Sequence, residues 1–250
     1  MPAAPIAEWI LTFDDGPLPG DQTTWTPGQE DALLEPLAAI LDVLETHPAG
    51  PIPAVFYLRG KVYPWGADAP LDDVIRRGVD MIVQAGHPTA LHCNSHNPDL
   101  WFGWLLRAPE IYSDLNAGVE YFTPMLPQPM TAFRPPYGQG GLAGTSWAVL
   151  HRFRWRTWDI DSEDWLHHPD VSPLIRRYED DPDEHLEHIL EALPVRMLWH
   201  TFWPGANDFL FHVSVRTASY LNTIIDGICT TTREFQHEPR FVVPPQYLQP

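Results

Sequence analysis

Apolar runs of strand length alternate with stretches of helical spacing along this chain. The first run, Trp9 to Phe13 (WILTF), ends at Asp14-Asp15-Gly16. Residues 29–46 place Leu33, Leu34, Leu37, Ile40, Leu41 and Leu44 three or four apart, which predicts a helix. Ala54 to Leu58 (AVFYL) is β-branched and aromatic and is closed by Gly60, the pattern of a second strand. A helix is expected over 71–85, where Val74, Ile75, Ile82 and Val83 share a face, and a short strand over Thr89 to His92. The same reading gives a helix over 109–123, a strand over Thr131 to Phe133, a helix over 143–153 and a strand over Arg154 to Ile160. It continues with a helix over 183–193, a strand over Arg196 to His200, a long helix over 214–235 and a last strand over Phe241 to Val243, followed by an extended, proline-rich tail.

Strands that alternate with helices imply parallel pairing through crossover helices. About seven such units in a chain of this length favour a barrel over an open sheet, although periodicity alone leaves the two unseparated. There is no linker, low-complexity segment or repeat beyond the unit itself. The expectation is one α/β domain over residues 1–250 with its core at about 8–230.

Composition removes several function classes. Asp and Glu total 33 against 15 Lys and Arg, a net charge of −18. A phosphate backbone or an anionic membrane surface needs dense positive charge, so neither is an expected partner. No run approaches the roughly 20 apolar residues of a membrane helix. Two cysteines, Cys93 and Cys229, are too few for a disulfide scaffold or a cysteine-rich zinc module. Met1 to Glu8 has no basic flank and no apolar run of signal-peptide length, so the expected location is the cytoplasm. The 28 prolines suggest many ordered loops, and the 11 tryptophans serve either the core or sugar stacking.

Polar residues gather where the expected strands end, the edge at which barrels and open α/β sheets place their sites. Five clusters stand in chain order: Thr12-Phe13-Asp14-Asp15-Gly16, His92-Cys93-Asn94-Ser95-His96, Arg134-Pro135-Pro136-Tyr137-Gly138, Asp159-Ile160-Asp161-Ser162-Glu163-Asp164-Trp165 and Leu198-Trp199-His200. Adjacent carboxylates repel unless a cation or an arginine compensates them. Two histidines four apart can meet one metal, and with Asp14 or Asp15 they make a two-His-one-carboxylate set that suits zinc, iron, cobalt, nickel or manganese. The prolines leave the Tyr137 N–H available for an oxyanion. Each cluster taken singly is also an ordinary polar turn. Their succession is what carries information.

That succession (Thr-Phe-Asp-Asp-Gly, His-x-x-x-His, Arg-x-Pro-Tyr, Asp-x-x-Asp-Trp and Leu-x-His) resembles the polysaccharide deacetylase family, the NodB-homology domain or carbohydrate esterase family 4. AVFYLRG at 54–60 resembles its second strand and 86–100 its third, and the likeness covers roughly residues 8–230. The resemblance implies a distorted, incomplete (β/α)7-type barrel. It implies that Asp15, His92 and His96 hold one divalent metal, commonly Zn2+, with Co2+, Ni2+, Fe2+ and Mn2+ as alternatives. By the same likeness Asp14 is the general base, oriented and kept ionised by Arg134, and the Tyr137 N–H binds the oxyanion. His200 is the general acid, kept charged by Asp164. Pro136, Tyr137, Trp165 and Leu198 contact substrate.

The pattern also has departures. Cys93 stands where serine or threonine is usual, Ala90-Leu91 where Gly-Asn is frequent, and Thr201 where an aspartate commonly follows the histidine. Residues 17–28 are longer than a short connector and could form a loop over the cleft. Trp25, Trp65, Trp101, Trp104 and Trp203 are candidates for sugar stacking. The expected partner is an acetylated glycan containing N-acetylglucosamine: chitin oligomers, peptidoglycan or poly-N-acetylglucosamine. The alternatives are an O-acetyl esterase on acetylated xylan, a small-molecule amidohydrolase and a non-catalytic glycan-binding domain.

Overall fold

The computed structural model describes residues 4–19, 28, 30–62, 71–102, 106–162, 164, 182–202 and 206–247. The strands are β1 (Ile6–Gly16), β2 (Ala54–Val62), β3 (Thr89–Ser95), β4 (Ala132–Phe133), β5 (Arg154–Trp155), β6 (Ile160–Asp161), β7 (Asn207–His212) and β8 (Glu238–Phe241). The helices are α1 (Glu35–Thr46), α2 (Asp72–Gln84), α3 (Pro98–Phe102), α4 (Ala108–Phe122), α5 (Gly141–Leu150), α6 (Pro182–Phe202) and α7 (Val215–Glu234).

Every recorded strand pair is parallel. The order is β5-β4-β3-β2-β1-β7-β6, with β8 added to the start of β1. β5 and β6 are thus the two edges, yet residues 156–159 alone join them. Five residue steps reach at most roughly 17 Å, whereas seven flat strands at about 4.8 Å spacing would set the edges roughly 29 Å apart. The sheet has to curl, and it forms an α/β half-barrel with a gap between β5 and β6. The expected strand Arg154 to Ile160 is in fact these two short strands and the segment that crosses the gap.

Side-chain alternation sorts residues into an outer and an inner layer. Trp9, Leu11, Phe13, Phe56, Leu58, Leu91, Phe133, Phe209 and Phe211 pack with the helices in the main core. Fully burying one such side chain contributes about 1.5–3 kcal/mol. The intervening positions, Ile10, Val55, Tyr57, Ala90 and Ala132, form a second, smaller cluster with Tyr247 inside the curl. The inner layer turns polar toward the strands' C-terminal ends, where Asp14, Arg59, His92 and Arg134 are all buried.

One expected element is corrected. Arg196 to His200 is not a strand but the last turns of α6. Ile189, Leu193 and Met197 are buried at a spacing of four, while Val195 and Leu198 are exposed, the stripe of a surface helix. α6 lies against α7, where a side-chain carbon at Gly227 would come 2.3 Å from Leu190 Cδ2. The strand of this unit is β7, whose continuous apolar run is only Phe209-Leu210-Phe211, too short to stand out. The tail is not simply extended: after β8 it brings Tyr247 inside the curl, where the Tyr247 and Tyr57 hydroxyls lie 2.6 Å apart.

Candidate active site

Asp14 and Asp15 are adjacent, so a regular strand would send them to opposite faces. Asp14 points inward by alternation. Asp15 has φ 62°, a left-handed conformation that Asp tolerates better than most residues, and the β1–β2 register shifts between Phe13 and Gly16. The kink turns the second carboxylate back to the same site.

Asp15, His92 and His96 each offer one atom within 4.8 Å of the others. Asp15 Oδ1 lies 3.7 Å from Nε2 of both histidines. The hydrogen bonds fix the tautomers. His92 Nδ1 lies 2.8 Å from the Arg134 carbonyl, which can only accept, so Nδ1 carries the proton and Nε2 the lone pair. That Nε2 is buried with no hydrogen-bond partner. The Tyr137 hydroxyl donates to the His96 carbonyl (3.1 Å), so His96 Nδ1–H donates to the phenol oxygen (2.9 Å) and its Nε2 also keeps the lone pair. Burial pushes both imidazoles below their ordinary value, which keeps them neutral. Burial opposes ionisation of Asp15, but the surrounding His96 ring, the Arg59 guanidinium and the His92 and His212 rings hold its carboxyl far below the usual range. One anionic oxygen and two neutral imidazole nitrogens converging on one point, one of them a buried orphan, fit a divalent metal.

Asp14 is the second charged centre. Arg134, fully buried, donates through Nη1 to Asp14 Oδ1 (2.9 Å) and Thr12 Oγ1 (2.7 Å), and through Nη2 to Asp208 Oδ1 (2.9 Å) and the Thr157 carbonyl (3.2 Å). Its carbon lies 4.2 Å over the Tyr57 ring. Burial disfavours its charge, but Asp14 and Asp208 raise it well above the ordinary value, so the guanidinium stays cationic. Asp14 Oδ2 accepts no hydrogen bond from the described residues and lies 3.8 Å from His92 Nδ1.

The third centre is His212 with Asp164. His212 Nδ1 lies 2.6 Å from Asp164 Oδ1, and Asp164 Oδ2 accepts from the His212 N–H (2.8 Å) and the Thr217 hydroxyl. Burial works against the imidazolium, yet the Asp164 carboxylate beside it raises His212 to about 10. Asp14 and His212 are register partners on neighbouring strands, so a carboxylate and an imidazolium stand side by side at the end of the curl.

Among the residues expected from sequence, the structure brings together Asp14, Asp15, His92, His96, Arg134, Pro136, Tyr137 and Asp164. It does not bring Leu198 there, which is exposed on α6. His200 lies within α6, and the residue paired with Asp164 is His212, the end of another Leu-x-His, Leu210-Phe211-His212. Trp165, Glu163, Trp25, Trp65, Trp104, Trp203 and most of 17–28 lie outside the described residues. Trp101 is fully buried and donates to the Ser95 carbonyl, so it is core rather than a stacking platform. Cys93 packs in the helix-side core, away from His92, and burial raises its thiol well above the ordinary value, so it is no extra ligand. Sequence reasoning missed Asp208, Arg59 and Asp114. Asp114 on α4 accepts the Asn94 and Ser95 N–H groups and thereby pins the end of β3 between the two histidines. Only the Leu-x-His at 210–212, one of four in the sequence, offered a signal. An acid on a helix facing a distant strand end offers none.

The sequence matches the polysaccharide deacetylase family over residues 3–157, and the chain belongs to that family. No curated protein matches it. Among solved structures, it is similar to a family 4 carbohydrate esterase from Streptomyces lividans (TM-score 0.58, 18% identity, covering 96% of this chain and 94% of that one). It is similar to the catalytic domain of a peptidoglycan N-acetylglucosamine deacetylase from Eubacterium rectale (0.59, 13%, 98% and 93%). It is also similar to a carbohydrate esterase family 4 pseudoenzyme from Bacillus anthracis (0.60, 21%, 96% and 67%). At these identities the likeness concerns the fold.

Proposed function

We propose that the chain is a metal-dependent hydrolase that removes acetyl groups from N-acetylglucosamine-containing glycans and releases acetate. The observation that carries this reading is the pair of oppositely charged groups, Asp14 with Arg134 and His212 with Asp164, flanking the Asp15–His92–His96 donor set. Amide hydrolysis needs a base for the attacking water and an acid for the departing nitrogen at the same pH.

Asp15, His92 and His96 would hold the metal, which when bound polarises the acyl carbonyl and lowers the pKa of a coordinated water. Asp14 Oδ2, the oxygen not occupied by Arg134, takes the proton of the attacking water. Arg134 holds the other oxygen and so fixes the carboxylate's orientation. The Tyr137 N–H supports the developing oxyanion. His212 Nε2–H donates to the leaving nitrogen, while Asp164 on Nδ1 keeps the ring protonated. His212 thus takes the role that the resemblance gave to His200.

Peptidoglycan deacetylation by the Eubacterium rectale relative makes peptidoglycan a first substrate to try, beside chitin oligomers. A non-catalytic reading has a precedent in the Bacillus anthracis pseudoenzyme, but the full set of acid, base and donor atoms here favours catalysis. The test is acetate release from both polymers before chelation, after it, and after zinc is restored. Release that stops on chelation and returns with zinc is expected. Zinc-loaded protein that binds glycan and frees no acetate from any acetylated glycan would overturn the proposal.

A further inference from the structure

A cavity of about 570 Å³ opens at the other end of the curl, in the gap between β5 and β6. Ile10 and Asp208, near the starts of β1 and β7, line it with Arg156, Trp158, Val243 and Tyr247. Ile10 is four residues before Asp14, and Asp208 four before His212, which is about 13 Å of strand. The cavity therefore lies below Asp14 and His212 along those strands, and it meets the site only through Arg134, whose Nη2 reaches Asp208 and the Thr157 carbonyl.

Three acids line it, and each is paired with an arginine: Glu8 with Arg240, Asp159 with Arg196 (2.5 Å) and Asp208 with Arg134 (2.9 Å), which Asp208 shares with Asp14. Arg156 makes no ion pair among the described residues, and its Nε is buried without a hydrogen-bond partner. Its guanidinium carbon lies 5.6 Å from the centre of the Tyr247 ring. Arg156 is half-buried, and the guanidinium it turns to the cavity is a cation that no acid of the described residues pairs, open to the anion of a ligand. A guanidinium matches a carboxylate as a planar fork, and the Trp158 and Tyr247 rings suit the apolar face of a pyranose. The volume falls within the range of small-ligand sites.

We propose that this cavity is a second carbohydrate site, distinct from the catalytic one, that binds a carboxylate-bearing sugar through Arg156. The test is calorimetric titration of the full chain with glucuronate, glucose and acetate, under chelation so that no carboxylate binds through a metal. Glucuronate should bind at least about tenfold tighter than glucose or acetate, and Arg156→Gln should reduce it to the level of glucose. Val243→Trp, which fills the cavity, should abolish binding with Arg156 intact and so covers the case in which Arg156→Gln fails to fold. Glucuronate affinity unchanged in either folded variant, glucose or acetate binding as well as glucuronate, or no binding to the wild-type protein would each overturn the proposal.

Discussion

Two neighbouring aspartates divide their work because their backbones differ. Asp14 follows the strand and meets Arg134. Asp15 leaves it with φ 62° and meets two imidazoles. Asp14→Asn keeps the shape and the hydrogen bond from Arg134 but cannot take a proton. Turnover should fall by about 10²–10⁴, with zinc content by elemental analysis unchanged. His212→Ala should slow amide substrates far more than activated esters, whose leaving groups need no proton. His200→Ala should leave both rates near wild type, and steady-state kinetics on the two substrate types decides between the histidines. For the Asp164–His212 pair the sign of the pH effect follows from the raised imidazole. Its contribution to stability is complete below about 6.5 and is lost as pH rises toward about 10. Asp164→Asn removes the partner, so this pH-dependent stability of the metal-free protein should flatten. The alkaline limb of kcat should move to lower pH.

At the scale of elements, the site depends on how closely β2 and β3 approach. A side-chain carbon at Gly60 would lie 2.9 Å from the Asn94 Cα and 2.5 Å from its Oδ1. Asn94 sits between the two histidines, at the end of β3 that Asp114 pins. Gly60→Ala should therefore cost about 1–3 kcal/mol by chemical denaturation and weaken zinc binding as well. Gly60 was legible in the sequence as the close of a strand, but its reason, a neighbouring backbone, was not. The same contrast holds for the Leu-x-His triplets at 198–200 and 210–212. They are equivalent as text, and only packing of Ile189, Leu193 and Met197 on α7 makes the first a helix and leaves the second to enter the sheet. The tail is a further case. Tyr247→Phe removes the 2.6 Å contact with Tyr57 and leaves a buried hydroxyl unmatched, which should cost about 1–3 kcal/mol in urea melts.

Across the whole molecule, the curl brings together groups from five strands and the loops that follow them, none of which can form the site alone. A ligand set assembled only in the folded state couples binding to stability. Zinc at a thousandfold excess over its dissociation constant should add about 4 kcal/mol and raise Tm, and His92→Ala should abolish that rise in calorimetry. A net charge of −18 repels polyanions over most of the surface. That makes the unmatched Arg156 in the gap the more informative exception.

Local information sufficed for the alternating strands and helices, the parallel α/β class, the Asp-Asp and His-x-x-x-His clusters and the arginine beside them. Each depends on spacing within one segment, and hydrophobic periodicity and ligand spacing are properties of a segment. The tertiary structure decided which histidine faces Asp164, that Asp208 shares Arg134 with Asp14, that Asp114 holds the end of β3 between the two histidines, and that the tail brings Tyr247 inside the curl. Those are contacts between residues 30 or more positions apart in most cases, and no local pattern specifies which side chains meet once the sheet has curled.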